Sequence, residues 1–162
     1  WRVDCFSGEV ASSAAFAGDL LFVANEGAVA SAFDLSAHGE KPKIVWQWDG
    51  DLPDAASPVA NEHYLIVPTA FGLLTCLDAK TGKPHWSYDM LANTWGSPLI
   101  VDDHVYIGDV DGDISVFRLT DEPHEPIAEI YMGQSVYSTP IVANNVLYIT
   151  NMTRIFAIQT KE

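Results

Sequence analysis

The stretch Gly108-Asp109-Val110-Asp111-Gly112-Asp113-Ile114 sets three carboxylates at alternate positions around a glycine. Alternating carboxylates are the currency of calcium loops, which gather oxygen ligands from closely spaced side chains. An EF-hand loop, however, wants glycine at its sixth position and a bidentate Glu at its twelfth. Counted from Asp109, those places hold Ile114 and Thr120. Asp and Gly are also what tight hairpin turns demand in their own right, so the stretch reads as an acidic turn and no metal site is predicted. The five histidines, His38, His63, His85, His104 and His124, show no pair at ligand spacing and no partnership with a serine and a carboxylate. Cys5 and Cys76 stand 71 positions apart among apolar neighbours, which makes each a small buried hydrophobe rather than a metal ligand. No catalytic residue is predicted. Two aromatics remain: Trp95 and Tyr137 each fall two residues before a hydroxyl residue, Ser97 and Thr139, and such rings stack on flat or apolar ligands.

What must position these residues is a repeat. Four segments align without gaps over eleven residues: SAAFAGDLLFV from Ser13, SPVANEHYLIV from Ser57, SPLIVDDHVYI from Ser97 and TPIVANNVLYI from Thr139. Their starts are 44, 40 and 42 residues apart. Each opens on a hydroxyl residue, runs through an apolar strand, turns on polar residues such as Gly18-Asp19 or Asn144-Asn145, and begins a second strand. A second turn leads to a third strand, over 30–35, 73–78, 114–119 and 155–159. A fourth follows in three of the repeats, over 44–49, 85–89 and 127–132. Helical periodicity is nearly absent. Four short antiparallel strands recurring at this period predict an all-β chain of β-propeller blades, about four of them, spanning 13–49, 57–89, 97–132 and 139–160. Trp1–Phe6 resembles an orphan fourth strand, with Trp1 in the place of Trp46 and Trp86. It is expected to complete the last blade or a preceding one, which would remove an exposed edge.

In such a fold the loops entering the innermost strands gather at the mouth of the central channel. Here they are 8–12, 52–56, 93–96 and 135–138. Trp95 and Tyr137, with Asn93 and Asp54 from the same set of loops, form the candidate surface for a ligand or partner.

Composition narrows the partners. The formal net charge is −14, from 22 acidic and 8 basic residues, which repels nucleic acid and anionic lipid. Hydrophobic residues make up 48%, enough for a packed core, yet no apolar run is long enough to span a bilayer. The sequence opens on Trp1 rather than Met, which suggests a processed chain or a fragment, with a homodimer or the remainder of a larger propeller as the alternatives to a closed four-blade ring.

The stretch Cys76-Leu77-Asp78-Ala79-Lys80-Thr81-Gly82-Lys83-Pro84-His85-Trp86 resembles the pyrroloquinoline quinone (PQQ)-like repeat, whose blades carry Leu-Asp-Ala-x-Thr-Gly-Lys-x-x-Trp. The motif is intact only here. The first repeat keeps Phe33-Asp34 and Trp46, while the third has Phe117-Arg118 and Ile130 in place of the Trp. Read on their own terms, Asp78 and Thr81 bond turn amides, Gly82 supplies a left-handed turn residue, and Trp86 and Trp46 offer flat surfaces to a neighbouring blade. The resemblance implies a structural role for those tryptophans and an extracytoplasmic, periplasmic or exported, location. It also implies three function classes: a non-catalytic scaffold of the cell envelope that binds protein, similar to outer-membrane assembly factors; a propeller that binds a carbohydrate or other small ligand; or part of a quinoprotein dehydrogenase using PQQ and calcium. For the last, many alcohol-oxidising members carry adjacent cysteines, and their catalytic Asp and calcium-binding Glu and Asn match nothing in this sequence. The expected function is therefore the scaffold, without a cofactor.

Overall fold

The computed structural model describes residues 1–159; Thr160–Glu162, where the fourth repeat was expected to end, lie outside the described residues. Fifteen strands and no helix make up the described chain. They form four antiparallel sheets in chain order. The first holds β1 (Ala15–Ala17), β2 (Leu20–Val23), β3 (Ala30–Asp34) and β4 (Lys43–Trp48). The second holds β5 (Val59–Ala60), β6 (Tyr64–Pro68), β7 (Leu73–Asp78) and β8 (Pro84–Asp89). The third holds β9 (Leu99–Val101), β10 (His104–Gly108), β11 (Asp113–Arg118) and β12 (Ala128–Tyr131), and the fourth β13 (Ile141–Ala143), β14 (Val146–Thr150) and β15 (Ile155–Ile158). Each sheet is a meander whose strands pair in sequence order. These are propeller blades, three complete and one of three strands.

Strand alternation assigns the two faces of each blade. In β2, β6 and β10 the positions 22, 66 and 106 point to the following blade, and their neighbours point to the preceding one. Phe22, Ala32 and Trp46 of blade one thus interlock with Leu65, Val67 and Leu77 of blade two. Ile66, Cys76 and Trp86 of blade two meet Val105, Ile107 and Phe117 of blade three. Ile114, Val116 and Met132 of blade three meet Val136 and Ile149 at blade four. Burial of apolar area between successive blades is the main stabilising term, at about 25 cal/mol per Å². Among the described residues no such cluster joins blade four to blade one.

The expected N-terminal strand does not form. Trp1–Phe6 has no strand pairing, and the fourth sheet ends at β15. An isolated strand gains its hydrogen bonds only at a free sheet edge, and β15 lies at the opposite end of the arc from β1.

Candidate functional site

The acidic turn is built around one carboxylate. Asp109 Oδ1 accepts the backbone N–H groups of Gly112 (2.8 Å) and Asp113 (3.0 Å), and the side chain is buried. Gly112 closes the turn at φ 99°, and a β-carbon there would lie 2.8 Å from the Gln134 backbone, so glycine is needed for both conformation and space. The position has counterparts twelve residues after each blade's opening hydroxyl: Asn25, Thr69, Asp109 and Asn151. Asn151 Oδ1 accepts from Thr153 and Arg154, and Thr69 Oγ1 accepts from Leu73. Asn25 departs from this by donating its amide to the carbonyls of Ser7, Glu9 and Glu26. Sequence reasoning found the recurring glycines and missed this recurring cap; its signal was a short oxygen-bearing side chain at all four aligned positions. Burial, followed by the charges of Asp109 and Asp111, holds the Asp113 carboxyl above the usual carboxylate range. Among the described residues no three His, Cys, Asp or Glu side chains come together as metal ligands.

The same turn supports the aromatic surface. Val110 N–H donates to the carbonyl of Asn93 (3.0 Å), and Val136 N–H donates to the carbonyl of Asp109 (2.8 Å). Ser135 Oγ donates to the carbonyl of Val110. The loops leading into blades three and four are therefore both tied to one hairpin. Thr94, buried beneath, donates its hydroxyl to the Thr69 carbonyl at 2.6 Å. A β-carbon on Gly96 would lie 2.7 Å from the Ser138 carbonyl oxygen, so the two loops run in backbone contact. On this support Trp95 and Tyr137, 56% and 51% exposed, line with Val110 an apolar cavity of about 480 Å³.

Not all the predicted surface residues gather there. Asn93 contributes through its carbonyl. Asp54 lies apart, in a cleft of about 520 Å³ between blades one and two, whose lining includes Glu26, Asp51, Phe71 and Asp89. Three of the four lead-in loops thus line two depressions rather than one: 52–56 contributes Leu52 and Asp54 to the cleft, while 93–96 and 135–138 contribute Trp95 and Tyr137 to the apolar cavity. Both depressions open at the end of the blades where the second strands finish. One is acidic with a single prominent aromatic; the other is apolar.

The residues of the blade motif make turn and interblade contacts. Asp78 Oδ1 accepts from the amides of Lys80 (3.0 Å) and Thr81 (2.7 Å) and from the Thr81 hydroxyl (2.8 Å). Partial burial opposes its ionisation, but these hydrogen bonds outweigh it and hold the carboxyl below the usual range. Trp46 Nε1 donates to the Ala79 carbonyl of the next blade, and Trp86 Nε1 to the Thr120 carbonyl of the one after, both at 2.9 Å. Trp86 also stacks on Phe117, with centroids 5.8 Å apart. A β-carbon on Gly82 would sit 2.5 Å from the Trp46 ring, so this glycine serves the preceding blade's tryptophan as well as its own turn.

The remaining chemistry-bearing groups are tied into the junctions. His85 Nε2 lies 3.9 Å from Asp78 and 3.8 Å from Asp121, under the Tyr64 ring. Tyr64 donates its hydroxyl to Asp121 at 2.8 Å, and burial together with that carboxylate pushes its pKa up to about 12. Burial raises the Cys76 thiol further still, which leaves it protonated and unreactive.

A chain of four-stranded blades sharing interblade tryptophan docks and an open mouth is a β-propeller arc. The family described as outer membrane protein assembly factor BamB matches residues 32–122, more than half of the sequence, and the chain belongs to that family. No curated protein matches it. Among solved structures, BamB from Moraxella catarrhalis is similar at 20% identity, with a TM-score of 0.71 over 91% of this chain and 49% of that one. The chain therefore spans about half the length of that relative. The computationally designed Ika4 protein is similar at 11% identity and a TM-score of 0.74, over 96% of this chain and 100% of that one. The quinohemoprotein alcohol dehydrogenase ADHIIG from Pseudomonas putida HK5 follows at 16% identity and a TM-score of 0.63, over 87% and 28%. At these identities the structures share the fold alone.

The residues present do not fit a PQQ and calcium site. The acidic triad spends its buried carboxylate on turn amides, and no group of potential metal ligands converges among the described residues. Cys5 and Cys76 are both free thiols.

Proposed function

We propose that this chain is a non-catalytic propeller scaffold of the cell envelope that holds a protein partner at its mouth. The observation that carries this reading is the cavity lined by Trp95, Val110 and Tyr137, whose aromatic walls stand half exposed on loops fixed by backbone hydrogen bonds. Exposed aromatics on a rigid support are what an interface hot spot requires, since little conformational freedom is lost when an anchor side chain enters. The adjoining cleft, with Glu26, Asp51, Asp54 and Asp89, favours a partner that sets Lys or Arg beside its apolar anchor. Membership of a family described as an outer membrane assembly factor supports the envelope location and the protein-binding role. No helix among the described residues is long and apolar enough to cross a membrane.

Displayed peptides selected against the folded chain test the proposal. Binders are expected to combine an aromatic anchor with basic residues, and to lose roughly thirtyfold in affinity, about 2 kcal/mol, when Trp95 and Tyr137 are both replaced by Ala. Binders indifferent to that double substitution would overturn the assignment of the site. A rise in melting temperature on adding PQQ with calcium would overturn the cofactor-free scaffold.

A further inference from the structure

The loop leading into blade three carries a leucine where its backbone favours glycine. Leu91 has φ 58°, a left-handed conformation that presses a β-carbon towards the following carbonyl oxygen. The other non-glycine residues with positive φ among the described residues are Asp102, Asn144 and Asn145, types that tolerate it. Leu91 stands six residues before Ser97, and the residue six before Thr139 on the equivalent loop is Gly133, at φ 85°. Asp89 fixes the strained position, its Oδ1 accepting the Leu91 N–H at 2.9 Å. Yet the residue is 88% exposed and gains no burial in return. Backbone outliers of this kind gather at ligand clamps and switch regions.

Leu91 has an apolar companion. The hairpin 69–72 of blade two lies against this loop: Thr94 N–H donates to the Ala70 carbonyl (3.1 Å) and Met90 N–H to the Gly72 carbonyl (3.0 Å). A β-carbon on Gly72 would lie 2.1 Å from the Ala92 carbonyl oxygen, so the two segments run in backbone contact. Between those contacts the hairpin carries Phe71, 78% exposed, and the loop carries Leu91. The same loop continues to Trp95 at the apolar cavity. On its other side Phe71 lines the cleft with Glu26, Asp51, Asp54 and Asp89. Blades one and three pack on the two faces of blade two, so Phe71 and Leu91 lie inside the arc and not at either end of it.

We infer that Phe71 and Leu91 join the acidic cleft and the apolar cavity into one binding strip for an extended segment of a protein partner. The inference rests on the reading of the mouth as a partner site and names what that partner must carry. One apolar residue covers Phe71 and Leu91, a second enters the cavity beside Trp95, and Lys or Arg lies over the cleft. Charge decides the occupant. Exposed Phe, Leu and Trp also suit a lipid surface, but the four carboxylates beside them repel anionic headgroups and attract cationic side chains. Leu91 is then a specificity-determining residue, kept although it weakens its own loop. A segment fixed by backbone hydrogen bonds loses little freedom when a partner covers it.

Peptides selected from a phage-displayed random library against the folded chain, then labelled with fluorescein, serve as probes in fluorescence anisotropy. Leu91→Gly should weaken binding roughly tenfold while raising the melting temperature by about 2–4 °C, since the strain leaves with the side chain. Leu91→Asn, a residue tolerant of positive φ, should weaken binding as much, which excludes added flexibility as the cause. Phe71→Ala should weaken binding by a similar factor and leave the melting temperature unchanged. Asp51→Asn with Asp54→Asn should weaken binding and flatten its dependence on salt. Circular dichroism verifies that each variant folds. Affinity lost with Trp95→Ala and Tyr137→Ala but indifferent to Leu91→Gly and Phe71→Ala overturns this inference alone. Indifference to all four overturns the mouth reading with it. A Leu91→Gly chain that melts no higher than the native one also overturns the inference. So does sedimentation with phosphatidylcholine vesicles that is lost in Phe71→Ala and Leu91→Gly, which would assign the strip to lipid.

Discussion

Replacing Asp109 by Ala, and separately by Asn, distinguishes a turn cap from a metal ligand. The Asp109 carboxylate accepts two backbone N–H groups at 2.8 and 3.0 Å from within the protein. Alanine leaves both donors without a partner in a turn that is pressed against Gln134, where little water can replace the lost acceptor. Each unsatisfied buried donor costs about 1–3 kcal/mol, so a total of roughly 3 kcal/mol is expected once partial rehydration of the Asp113 amide is allowed for. For a chain of this size a kilocalorie corresponds to about 2–4 °C, so the melting temperature should fall by roughly 6–12 °C. Asparagine keeps the accepting oxygen, as Asn151 shows by accepting from Thr153 and Arg154 at the equivalent place. Asp109→Asn should therefore cost less than about 1 kcal/mol. Thermal unfolding followed by circular dichroism, with and without millimolar calcium, measures all of this. The reasoning fails if Asn is as damaging as Ala, or if calcium stabilises the native chain and the effect vanishes in Asp109→Asn. Either result would mean that charge and a cation hold the loop together.

The other predictions rest on separate contacts. Gly82→Ala should destabilise by more than about 1 kcal/mol, because the added methyl enters the Trp46 ring and φ is 70°. Combining it with Trp46→Phe should cost less than the sum of the single changes, measurable as a double-mutant cycle in urea. Asp113 and Asp78 should give opposite pH signatures. The Asp113 carboxyl is raised, so its penalty acts when ionised and disappears as pH falls below the usual carboxylate range; Asp113→Asn should stabilise at pH 7 and not at pH 3. The Asp78 carboxyl is lowered, so its contribution is present above the usual range and is lost as pH falls through its depressed value; Asp78→Asn should destabilise at pH 7 and be neutral at strongly acid pH. Trp86→Ala should cost about 3–5 kcal/mol through the lost Phe117 stack and the orphaned Thr120 carbonyl. Trp86→Phe, which keeps the stack, should retain most of that.

What could be read from the chain was what local rules encode. Alternating apolar residues, hairpin chemistry at 18–19, 61–63, 102–104 and 144–145, and a repeat of 40–44 residues were enough for four blades and their strand order. The Leu77-to-Trp86 motif was enough for the family. The hydroxyl that opens each repeat was visible too, but not that the Oγ of Ser57, Ser97 and Thr139 receives an amide from the preceding blade, since that contact joins residues 40–44 positions apart. The same distance hid the role of Asp109. Read along the sequence it belongs to a triad, whereas in space it caps a turn that ties the Trp95 and Tyr137 loops together. Asp54 and Trp95 sit on equivalent loops, yet one lines an acidic cleft and the other an apolar cavity. The unpaired state of Trp1–Phe6 was equally out of reach, for a strand's identity is local but its partner is not. Strand, turn and blade are set by neighbours within a few residues, so the sequence alone determined them; which blades meet, and which side chains they bring to the mouth, was decided only by how the sheets pack.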